Sequence, residues 1–411
     1  MLGRSSREKE KEKSNAPAGE NPEAIKPPAG WYADPDAANS DGTRARWWDG
    51  EQWTETVSPG HTAEAPQPAQ DAAAQPDSGP AAAAVPDRPA AAATGHWIQP
   101  PPPSQLRIMR IQEGPQAGET TIGDAGVILN TVRRVAQDSR VYVPASVVDV
   151  AQHRGLTIGA VSVRGLGHQD FGLVRQDAVA FATAGNSRFI VGTIADGVSE
   201  APNSHAGADS ASKAALASVR EFLDAGTRLH EIPWPEVTET VRNNLRKRAE
   251  LAFGAKLRNE KVDDGTWARQ VGTTAEVLIV DSEPAHDGSF EYVRAVLAGD
   301  GYGYVISPAG LLPLGSGKAR DNDLKSNKVL PLPSDPGPGY PHVQPGRIRP
   351  GEAVMITTDG IGDDMADGTT EVAGYMHAEL LQPRTPHSLL ETVSYVAYQS
   401  DDDRTVLVVW A

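Results

Sequence analysis

The stretch Arg188–Gly197, RFIVGTIADG, is an apolar run that ends abruptly in an acid and a glycine. Phe189, Ile190, Val191 and Ile194 supply the aromatic and β-branched side chains of a buried strand, and Asp196-Gly197 stops it. A strand end is a rigid place from which to aim a carboxylate at a metal or a water. Alone, an Asp-Gly pair is as readily a turn, because Gly supplies positive φ and Asp bonds its own backbone. The two readings separate on whether other strands end the same way.

Three of them do. Ala353–Gly360, AVMITTDG, is a second apolar strand ending in Asp359-Gly360. Val174–Phe181, VRQDAVAF, puts Asp177 at the mouth of a third. Ser400–Trp410, SDDDRTVLVVW, sets Asp401, Asp402 and Asp403 before a fourth. Clustered carboxylates repel unless cations neutralise them. An all-oxygen set favours a hard octahedral cation, Mg²⁺ or Mn²⁺, over zinc. Two such ions about 4 Å apart activate a water and clamp a phosphoryl group, which suits phosphate-ester hydrolysis.

Composition narrows the choice. At 411 residues, with 39% hydrophobic and 22% charged residues, the chain has the make-up of a globular protein of one or two domains. A formal charge of −16 argues against general nucleic-acid binding. The absence of cysteine removes disulfides, Cys-ligated zinc and thiolate nucleophiles. The start, MLGRSSREKEKEK, lacks the apolar stretch of a secretory signal, and no apolar run reaches the roughly 18 residues of a membrane span. A cytoplasmic location is expected.

Along the chain, residues 1–28 read as a charged, disordered tail. Residues 29–57 form an aromatic island with Trp31, Trp47, Trp48 and Trp53 between turn signals. Its GWYADP start and WWDGEQWT end resemble a small Trp-rich domain of unknown function found in actinobacterial proteins. It is expected to form a tiny β core and is a candidate docking module for a partner. Residues 58–105 are a Pro/Ala-rich linker. Residues 106–155 have no assignment, beyond a strand at LRIMRI and helical spacing at Val127, Val132 and Val135. Residues 156–411 read as one large domain. Hairpin-linked strands with helices in pairs, and a long Gly/Pro-rich flap between Gly315 and Pro350, indicate α+β layers.

The order of motifs in this last part resembles the metal-dependent serine/threonine protein phosphatases of the PPM (PP2C) family. The motifs are Gln176-Asp177, Ala195-Asp196-Gly197, Gly272-Thr273-Thr274, Gly299-Asp300-Gly301, Thr358-Asp359-Gly360 and Asp402-Asp403-Arg404-Thr405. The resemblance implies a PP2C-like sandwich of two central antiparallel β-sheets flanked by helix pairs. It also implies hydrolysis of phosphoserine and phosphothreonine in proteins, the targets of a Ser/Thr kinase, by a water activated by two Mn²⁺ or Mg²⁺ ions. Carried over, Asp196 bridges the metals, the Gly197 carbonyl completes one shell, Asp177 acts through water, and Asp359 and Asp402 hold one metal directly.

Departures from the family pattern cluster at the phosphate side. The usual Glu is Gln176, and the usual phosphate-binding Arg is Gly172. Arg175, Arg164 and His168 are the candidates to replace that cation. The pattern Gly167, His168, Gly172, Gln176, Asp177 resembles a bacterial branch of the family without the Arg. The His that often follows ADG is also missing, which leaves His205 as a candidate proton donor. Asp300 is expected to serve a turn or a supporting role, and Asp363-Asp364 to be a solvated helix start. These losses motivate the alternative of a catalytically weakened phosphatase fold serving as a binding or scaffold protein.

Overall fold

The computed structural model describes residues 30–33, 44–48, 52–59, 96–124, 132–136, 142–253, 262–316, 330–398 and 400–411. The chain divides into two units, Met1–Val85 and Pro86–Ala411. In the first, β1 (Gly30–Ala33), β2 (Arg44–Trp48) and β3 (Trp53–Pro59) form an antiparallel sheet. Its register sets Trp31 opposite Trp47 and Trp48 opposite Trp53. The expected tail, and the linker as far as residue 95 apart from β3, lie outside the described residues.

The second unit starts with β4 (Ile108–Arg110) and β5 (Thr120–Ile122), a two-stranded ladder. Then come β6 (Ser146–His153), β7 (Leu156–Val163) and the short helix α1 (Leu166–Phe171). Next are β8 (Ala178–Ala184), β9 (Phe189–Ala195), α2 (Ser204–Asp224), α3 (Trp234–Phe253) and α4 (Asp264–Val271). Four strands follow: β10 (Ala275–Asp281), β11 (Phe290–Ala298), β12 (Tyr302–Ser307) and β13 (Gly310–Ser316). The chain continues with β14 (His342–Ile348), β15 (Ala353–Thr357) and α5 (Asp359–Met365). It closes with α6 (Glu371–Leu380), α7 (Pro386–Val393) and β16 (Arg404–Trp410).

Two antiparallel sheets result, of order β14-β11-β10-β9-β8 and β13-β12-β15-β16-β7-β6. Strand periodicity explains how they stack. In β9, Phe189, Val191 and Ala195 join the core under α2 and α3, while Ile190 and Ile194 face the other sheet. In β16, Leu407 and Val409 meet them, and Val406, Val408 and Trp410 turn to the core under α6 and α7. Both faces of each strand are therefore covered, which is why these strands read as unbroken apolar runs. Gly192 makes room for this contact, since a Cβ there would sit 2.3 Å from Leu407 Cδ1. The architecture is the expected α+β sandwich of two antiparallel sheets between helix layers.

Other expectations are corrected. Residues 132–136 are not helical, and Val132 and Val135 are exposed; Val127 lies outside the described residues. The stretch taken for a flap contains β14, whose Pro345 pairs with Val293 at the sheet edge, the place a strand tolerates proline. The last helix stops at Val393 rather than Tyr398, because the Val396 backbone bonds to β5 instead (Ile122 N to Val396 O 2.9 Å, Val396 N to Thr120 O 2.8 Å). Much of the unassigned 106–155 segment is built into the domain. There β6 pairs along β7, Ile122 is buried, and Arg107 grips Glu371 through its amide and guanidinium. Among the described residues no helix is long and apolar enough to cross a membrane.

Candidate metal centre

Four strand ends converge between the sheets. Asp196 follows β9 directly, and its backbone is pinned to the loop before β10. Its carbonyl accepts from Thr274 N (2.8 Å) and Thr273 Oγ1 (2.7 Å), and its N–H donates to Thr274 Oγ1 (2.9 Å). Gly197 must be glycine for a packing reason: a Cβ would lie 2.8 Å from both Gln176 O and Ser204 Cβ. Asp177 precedes β8, and its Oδ2 accepts from Thr358 Oγ1 (2.9 Å) and Thr405 Oγ1 (2.6 Å). Those hydroxyls stand on the facing sheet, beside Asp359 at the start of α5 and Asp402 just before β16.

The acids act on one another electrostatically. Burial, then the charges of Asp359, Asp177 and Asp402, push the Asp196 carboxyl well above the usual carboxylate range. Asp196 and Asp359 are close enough to share a hydrogen bond. Asp177 is pushed up to about 8 by burial and then by Asp403, and Asp402 to about 6 by burial, Asp403 and Asp359. Carboxylates so placed either hold protons or need a cation.

Asp403, which the sequence reading passed over, organises the other half of the site. It is 2% exposed. Its Oδ1 accepts from Gly165 N (2.7 Å) and lies 2.8 Å from His168 Nδ1, and its Oδ2 accepts from the amides of Gln176 and Asp177. One carboxylate thus ties together the α1 entry, the lead into β8 and its own loop. His168, Asp402 and Asp403 also bring ligand atoms within 4.8 Å of one another. Asp403 already has four donors, so that trio is less suited to an ion than the acids around Asp196. The only signal in the sequence was the run of three acids itself.

The residues expected to face substrate divide. His168 is buried beside the site; burial lowers its pKa, but the Asp403 bond and nearby carboxylates outweigh this and raise it to about 9. Arg175 is turned inward, with Nε on Pro144 O (3.1 Å), Nη1 on Ser162 Oγ (2.7 Å) and also on Asp177 O. Its guanidinium supports Asp177 from behind rather than facing a phosphate. Arg164 spends two donors on the Arg134 and His168 carbonyls. His205, in the first turn of α2, has its pKa lowered by burial and then by Arg248, with Asp209 opposing.

Asp300 lines a small cavity with Asp196, Glu276, Thr358 and Asp359. Asp364 is not solvated as expected: its Oδ2 accepts from Tyr395 Oη and Ser400 Oγ. The side-chain oxygen of Gln176, buried beside Asp177, has no hydrogen-bond partner. An all-oxygen acid cluster with raised affinity for protons, and an unpaired carbonyl at its edge, fits hard divalent cations.

The protein phosphatase 2C family model matches residues 164–394, more than half of the chain. The chain belongs to the protein phosphatase 2C family. It is a metal-dependent serine/threonine protein phosphatase, in line with the acid cluster between its sheets. Residues 29–73 match a protein of unknown function, DUF2510. No curated protein matches the chain. Similar solved structures include the catalytic domain of the serine threonine protein phosphatase PstP with two manganese ions (18% identity, 62% of this chain and 97% of that one, TM-score 0.36). RsbX in complex with magnesium is another (14%, 64% and 98%, TM-score 0.36). A third is a phosphatase from Toxoplasma gondii (13%, 64% and 95%, TM-score 0.43). The assignment rests on the family match, not on these distant likenesses.

Proposed function

We propose that Asp196, Asp359, Asp402 and the Gly197 carbonyl hold two divalent cations, Mn²⁺ or Mg²⁺, with Asp177 in support through water. The observation that carries this reading is the convergence of the acids where the two sheets meet: Asp177 Oδ2 is bonded to Thr358 and Thr405, which flank Asp359 and Asp402, and Asp196 and Asp359 line one cavity. Bound there, the cations supply charge neutralisation for a phosphoryl group and an activated water. The protein's part is to hold four carboxylates close together, at a cost that cation binding repays. Thr358 and Thr405 aim Asp177, and their hydrogen bonds favour its ionised form against the burial that raises its pKa. His168, held cationic by Asp403, takes the place of the arginine absent at Gly172 and attracts the phosphate. The substrates are cytoplasmic phosphoproteins modified by a Ser/Thr kinase, and the Trp-rich unit is a docking module for a partner.

Hydrolysis of an aryl phosphate and of a phosphothreonine peptide, with Mn²⁺, Mg²⁺ or chelator, tests this reading. We expect activity that needs the cation and is lost in Asp196→Ala. Cation-independent turnover that survives the substitution would overturn it. Cation binding without turnover would point to the weakened scaffold that Gln176 and Gly172 suggest.

A further inference from the structure

Behind the acids lies a polar cluster to which the proposed chemistry assigns no role. Tyr395, Ser400 and Arg404 are each under 5% exposed. Arg404 sends Nη1 to Tyr395 O (2.7 Å) and Nη2 to Ser400 O (2.7 Å), and its guanidinium stacks 4.2 Å from the centre of the Tyr395 ring. Tyr395 Oη and Ser400 Oγ both donate to Asp364 Oδ2. Asp364 belongs to α5, the helix whose first residue is Asp359. Ser400 and Arg404 stand two residues either side of Asp402.

We infer that Asp364 is a positioning residue for the metal centre: through Tyr395, Ser400 and Arg404 it fixes the loop bearing Asp402 relative to the helix bearing Asp359. The geometry is a closed frame. At its front, the α5 entry touches the end of the loop and the start of β16: a Cβ on Gly360 would lie 2.0 Å from Asp403 O, and Thr405 N donates to Thr358 Oγ1 (3.1 Å). At its back, Asp364 holds the loop a turn and a half further along the helix. Two attachments on one rigid helix set both the position and the tilt of a loop, where one would leave it free to pivot. On its outer side the same loop is held by the bonds between Val396 and β5. Residues that orient metal-binding carboxylates without touching the ion commonly contribute 10–100-fold to its affinity.

The inference rests on the proposed roles of Asp359 and Asp402, and its test uses the full chain with Mn²⁺ alone as the probe. Calorimetric Mn²⁺ titrations compare the wild type, Tyr395→Phe/Ser400→Ala, Asp364→Ala and the conservative Asp364→Asn. Metal-free melting temperatures are recorded in parallel. The double variant removes both donors yet keeps the ring over Arg404, so it tests the bonds to Asp364 without emptying a position inside the domain. The expected result is at least about tenfold weaker Mn²⁺ binding in the double variant. With it, half-saturating Mn²⁺ for turnover should rise in parallel while kcat at saturating Mn²⁺ stays within about threefold. Asp364→Asn, which keeps an acceptor oxygen, should recover most of the affinity. Unchanged Mn²⁺ affinity in the double variant, with only a lower melting temperature, would overturn the inference and leave the site assignment standing. A wild type that binds no Mn²⁺ would overturn both.

Discussion

The two walls of the acidic cleft are built differently. On the five-stranded sheet, Asp196 is fixed by backbone: β9 delivers it, and the Gly272–Thr274 segment bonds its N–H and its carbonyl. On the six-stranded sheet, Asp402 sits in a loop held by side chains: Asp403 toward α1 and β8, and Arg404 toward the carbonyls of Tyr395 and Ser400, whose hydroxyls reach Asp364. The first wall is as rigid as the sheet. The second is only as rigid as its buried polar bonds, and those are costly to leave half made. A site of this kind tolerates little change on one side and can be tuned on the other.

Substitutions should expose this asymmetry, beginning with the largest effect. Asp196→Asn should lower kcat/KM at least about 10²–10³-fold, since it removes the acid central to charge stabilisation. Yet the metal-free protein should melt at a higher temperature, because a buried carboxylate repelled by three others is gone. A lower melting temperature would show that the wall depends on Asp196 for its structure. Asp403→Ala should do the reverse, destabilising the fold by about 2–4 kcal/mol in denaturant titrations by orphaning buried amides and His168. A change under 0.5 kcal/mol would contradict the hub role of Asp403.

Proton linkage gives a smaller, graded effect. Asp177 and Asp402 have folded-state pKa values raised to about 8 and about 6 from 3.8. The folded protein therefore binds protons more tightly than the unfolded chain, and these groups weaken it at high pH. The penalty is fully present above about pH 8 and is relieved as pH falls toward about 4. Melting curves in chelator should show this site's contribution rising on acidification, whereas saturating Mn²⁺ should flatten the trend, since cations replace the protons. A metal-free protein insensitive to pH over that window would argue that the acids do not meet. The smallest effect is expected for His205→Ala, with kcat within about threefold of wild type, because the charged groups acting on His205 are Arg248 and Asp209.

The same asymmetry decides what could be read from the sequence. Asp196, Asp359 and Asp177 terminate apolar strands, and periodicity marks such ends without knowledge of the fold. The two-sheet sandwich was readable for the same reason, since β9, β15 and β16 are buried on both faces and stay apolar throughout. β6 and β14 were missed because edge strands are partly exposed, and β14 contains a proline. The roles of Asp403 and Asp364 were hidden because each depends on a partner tens to hundreds of residues away: Gly165 for Asp403, Tyr395 for Asp364. Arg175 and His205 were placed at the site from their position in the chain. Whether a side chain turns toward a cleft or away from it depends on packing that spacing does not encode.

The central claim is that Asp177, Asp196, Asp359 and Asp402 form one cation site between the two sheets. Anomalous scattering at the manganese edge, from crystals grown with Mn²⁺, measures this most directly. The account predicts two peaks within coordinating distance of Asp196, with Asp359 and Asp402 on at least one of them. A single peak on His168, Asp402 and Asp403, or none near Asp196, would contradict it.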